Sequence, residues 1–447
     1  MSEISLGHEN TKKIFFKLAL PSVLGMLIVS MQMMVDGFFI ANTIGADGLA
    51  AINLSMPVIN LYMSIAMMIC AGGAVYTSIE LGKGNKKRAD EVFSFTFFAY
   101  IAILGTLSIL GAIFIDKIIY FLGASKELIP LVKPYLITLL VLNLLFNFPI
   151  FSEMFVKIGG LPNFVFISAL ICISGNILGD YILIVKMNLG VFGAALATGL
   201  ANGTAGVILF TRFLKNRCVL TFGSPKGDRY LLGKILYNGS SEMLTIISAA
   251  ITTYIFNLLL MKYIGPLGVS ALTIVFYVNN ILNICLYGLD QALQPLVSFN
   301  LGARQFDKIK EAVKITLISG ATLGLICFIT MKLKSDFIVK LFSKGNSDLE
   351  LLTFDVLNIV TFQYIISFIN VTAIGFLTAL EKPFESMLVS FFRSLVFTVS
   401  YLFILPIFFG NFGLWLSMPV GELSCIFISI PLMYYSFNKS KKKYSIE

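Results

Sequence analysis

Long apolar stretches separated by short polar connections recur along the whole chain. Twelve of these stretches are long enough to cross a membrane as α-helices, for which about 20 residues suffice. In the first half the predicted spans are residues 14–42, 52–80, 93–115, 134–156, 163–185 and 190–211. In the second half they are residues 235–261, 268–299, 312–331, 351–380, 386–408 and 412–437. The pattern predicts an all-α integral membrane protein with two lobes of six helices each.

The two halves repeat one another at one constant spacing along the sequence. This spacing, the distance in sequence from Gly45 to Gly265, is called the repeat offset below. The matched pairs are Gly45 with Gly265, Ala51 with Ala271, Asn60 with Asn280, Gly190 with Gly410 and Gly193 with Gly413. One offset held without a gap indicates a tandem duplication. Because each repeat has an even number of spans, both halves share one orientation, with a pseudo-twofold axis expected along the membrane normal. We predict an N-terminal lobe at residues 1–217, a cytoplasmic linker at 218–234 and a C-terminal lobe at 235–447.

Composition and charge agree with a membrane protein and set its expected orientation. Of the 447 residues 57% are hydrophobic and 13% are charged, whereas soluble domains carry roughly a quarter charged residues. Most Lys and Arg residues fall in segments that share a side with the N-terminus, which predicts cytoplasmic termini in a cell-membrane protein. The net charge of +9 is then expected to face anionic lipid, and no nucleic-acid partner is expected.

Cysteine and histidine offer little chemistry. The six Cys show no paired spacing and the only His is His8, in the polar N-terminal segment. A zinc or redox-metal site needs a cluster of such ligands, so we expect none, and no cofactor.

Carboxylates within apolar spans are costly and need a reason. Asp36 and Asp180 each lie about 9 Å from the outer end of their predicted helix, and Thr198 about 12 Å deep. Asn176 is one turn from Asp180 on the same helix face. Such an all-oxygen set suits a hard cation such as Na⁺, or a proton shared on one carboxylate. The alternative is that each group only bonds a neighbouring helix for packing.

The repeat separates this set from the scaffold. At the repeat offset the four positions become Phe256, Val396, Ser400 and Met418. The duplicated scaffold is therefore symmetric while the oxygen set exists in one copy. That asymmetry favours a functional role over packing.

Further polar residues lie in the second half. Asp290 is expected to face a central cavity and attract an organic cation, and aromatic walls would add cation–π contact. Glu242, at the expected entrance of helix 7, and Glu422, in helix 12, are gates or packing partners. Arg393, the one Arg within a predicted span, could neutralise either acid. The candidates for a substrate cavity are Asp290, Glu242, Glu422, Gln294 and Tyr277.

Taken in order, several motifs resemble the MATE (multidrug and toxic compound extrusion) family of antiporters, within the MOP flippase superfamily. They are Ala19-Leu-Pro21, Val35-Asp36-Gly37, Gly45-Ala-Asp-Gly-Leu-Ala-Ala51, Gly175-Asn-Ile-Leu-Gly-Asp-Tyr181, Gly193-Ala-Ala-Leu-Ala-Thr198 and Ala292-Leu-Gln-Pro-Leu-Val-Ser-Phe-Asn-Leu-Gly-Ala303. The resemblance implies two lobes forming a V and uphill export of organic cations coupled to Na⁺ or H⁺ entry. It also implies that Asp36, Asn176, Asp180 and Thr198 form the cation site and that Pro21 is a bending point of helix 1. Some members carry acids deep in helix 7, whereas Glu242 is expected only at its entrance, so a second-half cation site is not expected.

The sequence therefore predicts a secondary active multidrug transporter that works as a monomer in the lipid bilayer, and not an enzyme. The alternative is a lipid-linked oligosaccharide flippase of the same superfamily, whose cavity would need several Arg and Lys for pyrophosphate. A membrane-embedded enzyme would need a long catalytic loop, and the connections are short. The residues do not decide between Na⁺ and H⁺.

Overall fold

The computed structural model describes residues 10–215, 217–343 and 346–446, so His8 lies outside the described residues. All regular secondary structure in this part of the chain is helical, with no strand. It divides into two compact units, Met1–Gly239 and Ser240–Glu447. The predicted all-α membrane fold is confirmed.

The first unit contains eight α-helices and the start of a ninth. They are α1 (Thr11–Thr43), α2 (Ala46–Gly82), α3 (Lys86–Ile113), α4 (Ile115–Phe121), α5 (Ile129–Val141), α6 (Asn143–Ile158), α7 (Asn163–Asp180), α8 (Gly190–Leu214) and the first part of α9 (Arg229–Tyr263). A π-helical segment, Tyr181–Lys186, extends α7.

The second unit contains the rest of α9 and the remaining helices. They are α10 (Pro266–Gly302), α11 (Phe306–Ser343), α12 (Ser347–Val360), α13 (Ser367–Ala379), α14 (Pro383–Phe391), α15 (Thr398–Phe409) and α16 (Asn411–Ile446). A 3₁₀ turn, Thr361–Ile365, follows α12, and a π-helical segment, Phe392–Phe397, joins α14 to α15.

The number of membrane spans follows from these helices. Within the described residues ten helical stretches are long and apolar enough to span, and two bent pairs qualify when each is taken as one span. The pairs are α5 with α6, bent by 48°, and α12 with α13, bent by 42°. They coincide with the fourth and tenth predicted spans, so the count reaches the predicted twelve with two spans bent in the middle.

The duplication is visible in the backbone. Helices α2 and α10 coincide at both ends when one half is shifted onto the other by the repeat offset. Before these helices, Gly45 and Gly265 have φ angles of 86° and 88°, and Gly190 and Gly410 both have φ of 57°. A side chain at any of these positions would be strained by the positive φ. The turn glycines shared by the two halves are therefore positions where the backbone requires glycine.

The predicted linker belongs to the first unit and packs against its helices. The backbone N–H and the hydroxyl of Thr221 both donate to the Asp90 carboxylate, at 2.8 Å each. The N–H of Gly223 donates to Ser94 Oγ at 2.9 Å, and the N–H of Val219 donates to the Gly159 carbonyl at 3.2 Å. Helix α9 begins at Arg229, before the predicted end of the linker at residue 234. The linker is thus a short docked segment followed directly by a helix.

Candidate cation site

Three helices of the first unit bring the predicted cation ligands together. Helices α1 and α8 both pack against α7. Asp36 lies on α1, Thr198 lies on α8, and Asn176 and Asp180 lie one turn apart on α7. Asp180 is the last residue of α7 before the π-helical segment, a departure from regular helix that is frequent at functional sites.

The four side chains form one polar cluster. Thr198 Oγ1 lies 3.3 Å from Asp36 Oδ2, and Asn176 Nδ2 donates to Thr198 Oγ1 at 3.3 Å. The Thr198 hydroxyl also donates to the Ala194 carbonyl at 3.0 Å, so its single proton is shared between two acceptors. The carboxyl groups of Asp36 and Asp180 lie close enough to interact directly. The four residues predicted to lie at similar depths in their helices are therefore close together in the fold.

Several oxygens of this cluster receive no hydrogen bond from the described residues. They are both carboxylate oxygens of Asp180, Asn176 Oδ1 and Asp36 Oδ1. Asn176 and Asp180 are both 0% exposed. Asp180 is buried and Asp36 is half-buried, and the Thr198 hydroxyl is the one donor within the cluster that reaches either carboxylate. Ionising both carboxylates is therefore strongly unfavourable, so the cluster requires a positive charge. A bound Na⁺ or a shared proton would supply it.

Sequence reasoning missed one neighbour of this cluster. The phenol of Tyr135, on α5, is buried and lies close enough to both Asp36 and Asp180 to interact with them electrostatically. Nothing in the sequence marks Tyr135 out, because it is one aromatic among many in an apolar span. Its closeness to the carboxylates is set by the packing of the first unit.

The equivalent place in the second half is apolar. Phe256, at the position of Asp36, is buried against Trp415 with ring centroids 5.6 Å apart. Met418, at the position of Thr198, belongs to the same hydrophobic core. The oxygen cluster therefore exists in one copy in the folded protein as well as in the sequence.

Pro21 lies within α1, which runs as one helix from Thr11 to Thr43. It is buried, about four turns from Asp36 on the same helix. A bending role for Pro21 stays a prediction.

The expected position of Glu242 is wrong. Helix α9 begins at Arg229, so Glu242 lies about 20 Å inside it rather than at its entrance. Gln294 Nε2 donates to Glu242 Oε1 and to Asp290 Oδ2, at 2.9 Å each. The second unit therefore holds a buried pair of carboxylates bridged by one amide, which the sequence did not indicate.

Asp290 is part of this buried pair. Its side chain is 5% exposed and lies so close to α13 that a Cβ at Gly375 would overlap Asp290 Oδ1. This environment differs from the open cavity expected for Asp290. Contact of Asp290, Glu242 or Gln294 with substrate stays a prediction.

Arg393 finds its partner in Glu422. Its Nε and Nη2 atoms lie 2.9 Å and 2.8 Å from Glu422 Oε1, and Asn370 Nδ2 donates to Glu422 Oε2 at 2.7 Å. Arg393 is buried. Of the two acids considered for Arg393, the structure selects Glu422, and it leaves Glu242 to Gln294.

A cleft of about 550 Å³ lies within the second unit. Two predicted cavity residues, Tyr277 and Glu422, line it together with the amides of Asn279, Asn280 and Asn283. Because Glu422 is paired with Arg393, the cleft wall presents amides and an aromatic ring more than net negative charge.

No group of three His, Cys, Asp or Glu side chains that could hold a metal ion occurs within the described ranges. The cluster around Asp36 has two carboxylates, and its remaining ligands are an amide and a hydroxyl. Among cations it therefore suits a monovalent ion such as Na⁺ rather than a transition metal.

Comparison with known proteins agrees with this architecture. The MatE family model matches residues 21–182 and again residues 243–404, once in each half. The multidrug export protein MepA of Staphylococcus aureus is 26% identical over 426 residues, covering 94% of this chain and 93% of its own. MepA of Staphylococcus haemolyticus is 25% identical over 430 residues, covering 96% and 94%.

Solved structures show the same fold. A crystal structure of MATE in complex with MaL6 superposes with a TM-score of 0.93 at 20% identity, covering 99% of this chain and 100% of that one. An outward-facing multidrug resistance MATE family transporter of the MOP superfamily gives the same TM-score and identity, covering 99% of each chain. Since the family model matches most of the chain, in both halves, the chain belongs to the MATE (MatE) family of membrane transporters.

Proposed function

We propose that this transporter exports organic cations such as dyes, antibiotics and toxins by antiport with Na⁺ or H⁺. One observation carries the proposal. Four oxygens of Asp36, Asn176 and Asp180 receive no hydrogen bond from the described residues, and a positive charge would stabilise them. A site that is stable only when it holds a cation or proton gives an ion gradient a place to act. The likeness to the MepA multidrug export proteins supports drugs as the cargo.

In the proposed cycle Asp36 and Asp180 take up the coupling ion from outside. Neutralising their charge removes repulsion between α1 and α7 and so changes the packing of α1, on which Pro21 lies. Such a local electrostatic change can favour one of two conformations of a transporter that alternates its access. Substrate leaves as the ion binds, and release of the ion inside resets the site.

Further parts of the proposal follow from the charge pattern. Both termini lie on the cytoplasmic side of the cell membrane, because Lys and Arg concentrate on that side. The protein acts as a monomer. It needs no cofactor. A substrate with aromatic rings and a positive charge would gain cation–π contact from side chains such as Tyr277, which lines the second-unit cleft.

A lipid-linked oligosaccharide flippase is less well supported. Such a protein would need basic side chains to bind pyrophosphate. The one Arg within a predicted span, Arg393, already makes a two-pronged ion pair with Glu422. The charge within the spans therefore favours cationic cargo.

The direct test uses purified protein in liposomes loaded with a fluorescent cationic dye. We expect dye export to require an imposed Na⁺ or pH gradient and to stop with Asp36→Asn, which keeps the shape of the side chain but removes its charge. Asp116→Asn serves as the matched control, because Asp116 is an exposed carboxylate paired with Lys133. Gradient-driven export at the parental rate by Asp36→Asn would refute the proposed coupling site.

A further inference from the structure

A second polar layer lies one helical turn from the candidate cation site. Gln32 precedes Asp36 by four residues on α1, Cys172 precedes Asn176 by four on α7, and Asn202 follows Thr198 by four on α8. Residues four apart share a helix face, at a spacing of about 6 Å along the axis. All three ligand-bearing helices therefore carry the layer, and its members meet one another.

Contacts within this layer are close. Cys172 Sγ lies 2.9 Å from Asn202 Oδ1 and 3.5 Å from Gln32 Oε1. Gln32 and Cys172 are 4% and 3% exposed. A thiol has one hydrogen, so it can donate to only one of the two amide oxygens at a time. The amide oxygens of Gln32 and Asn202 thus both face the Cys172 thiol, whose single hydrogen can satisfy only one of them.

The two layers are continuous. Asn176 lies on α7 between Asp180 and Cys172, one turn from each. Its Oδ1 is buried and receives no hydrogen bond from the described residues. Oxygens therefore continue from the carboxylates, through Asn176, to the amides of Gln32 and Asn202. The layer lies toward the N-terminal end of α1, which the charge pattern places on the cytoplasmic side.

The second half lacks both amides and the thiol of this layer. At the repeat offset, Gln32 becomes Thr252, Cys172 becomes Phe392 and Asn202 becomes Glu422. Glu422 is bound to the buried guanidinium of Arg393, so its carboxylate charge is already balanced. The polar layer and the cation cluster thus occur together, in the first half alone.

We propose that Gln32, Cys172 and Asn202 form an inner station through which Na⁺ passes between the Asp36–Asp180 site and the cytoplasm. The proposal rests on the antiport function proposed above and names the ion and its exit. Amide oxygens can replace part of the hydration shell of Na⁺ but do not ionise, so the station suits Na⁺ rather than a proton. Lacking a carboxylate, it holds the ion more weakly than the site does, as a transit point requires.

The test separates passage from binding. Gln32→Met keeps the length of the side chain without its amide, and Asn202→Ala removes the other oxygen. In liposomes with a Na⁺ gradient, we expect each variant to export dye more slowly than the parent. The equilibrium Kd for Na⁺, measured by calorimetry on the purified protein, should stay near the parental value, since the Asp36–Asp180 ligands are intact. Cys172→Ser, which keeps a donor, should stay near the parental rate, whereas Cys172→Val should slow export.

A matched control is Thr204→Val on α8. The Thr204 hydroxyl bonds only its own helix, at the Leu200 carbonyl, and is exposed. Parental export rates in both Gln32→Met and Asn202→Ala would overturn the station, and so would a loss of Na⁺ affinity in proportion to the loss of rate. Export driven by a pH gradient but never by Na⁺ would also overturn it, while leaving antiport in place. Failure of the proposed function would instead appear as undiminished export by Asp36→Asn.

Discussion

At the scale of single residues, the informative positions are buried polar groups whose partners differ between the two halves. Asp36 and Asp180 could be predicted to meet because helix rise converts sequence position into depth. Gln32 could also have been found, because it lies one turn from Asp36 just as Asn176 lies one turn from Asp180. Cys172 and Tyr135 could not, because a thiol and an aromatic ring are ordinary in an apolar span.

Arg393 and Glu422 illustrate what sequence reasoning leaves open. Two acids were compatible with Arg393, and depth alone did not separate them. The structure decides because the π-helical segment Phe392–Phe397 changes the helical register at Arg393 and its guanidinium meets Glu422 on α16. A register change of this kind has no sequence signal in this chain.

This ion pair gives a prediction. Arg393→Met removes one partner and leaves Glu422 buried without its charge partner, which should lower the free energy of unfolding by about 3–5 kcal/mol. The double variant Arg393→Met/Glu422→Gln should recover most of that loss, because no uncompensated charge remains. Thermal unfolding in detergent measures both. Equal destabilisation by the single and the double variant would show that the pair stabilises by packing and not by charge.

At the scale of elements, the boundaries of the helices were largely predictable and their bends were not. Glycines with positive φ, such as Gly45 and Gly265, mark turns in the sequence as clearly as in the fold. The bend between α5 and α6, by contrast, occurs at Leu142, where neither glycine nor proline interrupts the chain. It reflects packing against α8, which the pattern of apolar residues does not encode.

The docked linker is a second feature of this scale that the sequence did not reveal. Residues 218–234 read as a polar connection, yet both oxygens of Asp90 bind Thr221. We expect Asp90→Ala to lower the thermal unfolding temperature and to open the segment around Thr221 to proteolysis. Each lost hydrogen bond to a charged group is worth about 1.5–3 kcal/mol.

Asp116→Ala is the control for Asp90→Ala, because Asp116 is exposed and its pair with Lys133 should contribute little. Limited proteolysis followed by mass spectrometry locates the cleavage. Unchanged protection of the segment in Asp90→Ala would mean that these hydrogen bonds do not hold the linker on the first unit.

At the scale of the whole molecule, duplication explains the scaffold and divergence explains the chemistry. The family model matches each half once, and helices α2 and α10 coincide at the repeat offset. The first half carries the cluster around Asp36 and Asp180. The second half places Phe256 and Met418 in its core instead, and holds Glu242 and Asp290 against Gln294. The duplication could be predicted from the sequence because both halves keep the same turn glycines. The carboxylate pair of the second half could not, because α10 brings Asp290 close to Glu242 only in the folded unit.

If the coupling ion acts in the first half, the carboxylates of the two halves differ in their effect on ion transport. The decisive measurement is the ion flux that cationic dye induces across liposome membranes, compared between Asp180→Asn and Asp290→Asn. Both changes remove one buried carboxylate charge, one from each half. We expect Asp180→Asn to abolish the dye-induced ion flux and Asp290→Asn to retain it. Loss of the flux in Asp290→Asn with a parental flux in Asp180→Asn would instead place ion coupling in the second half.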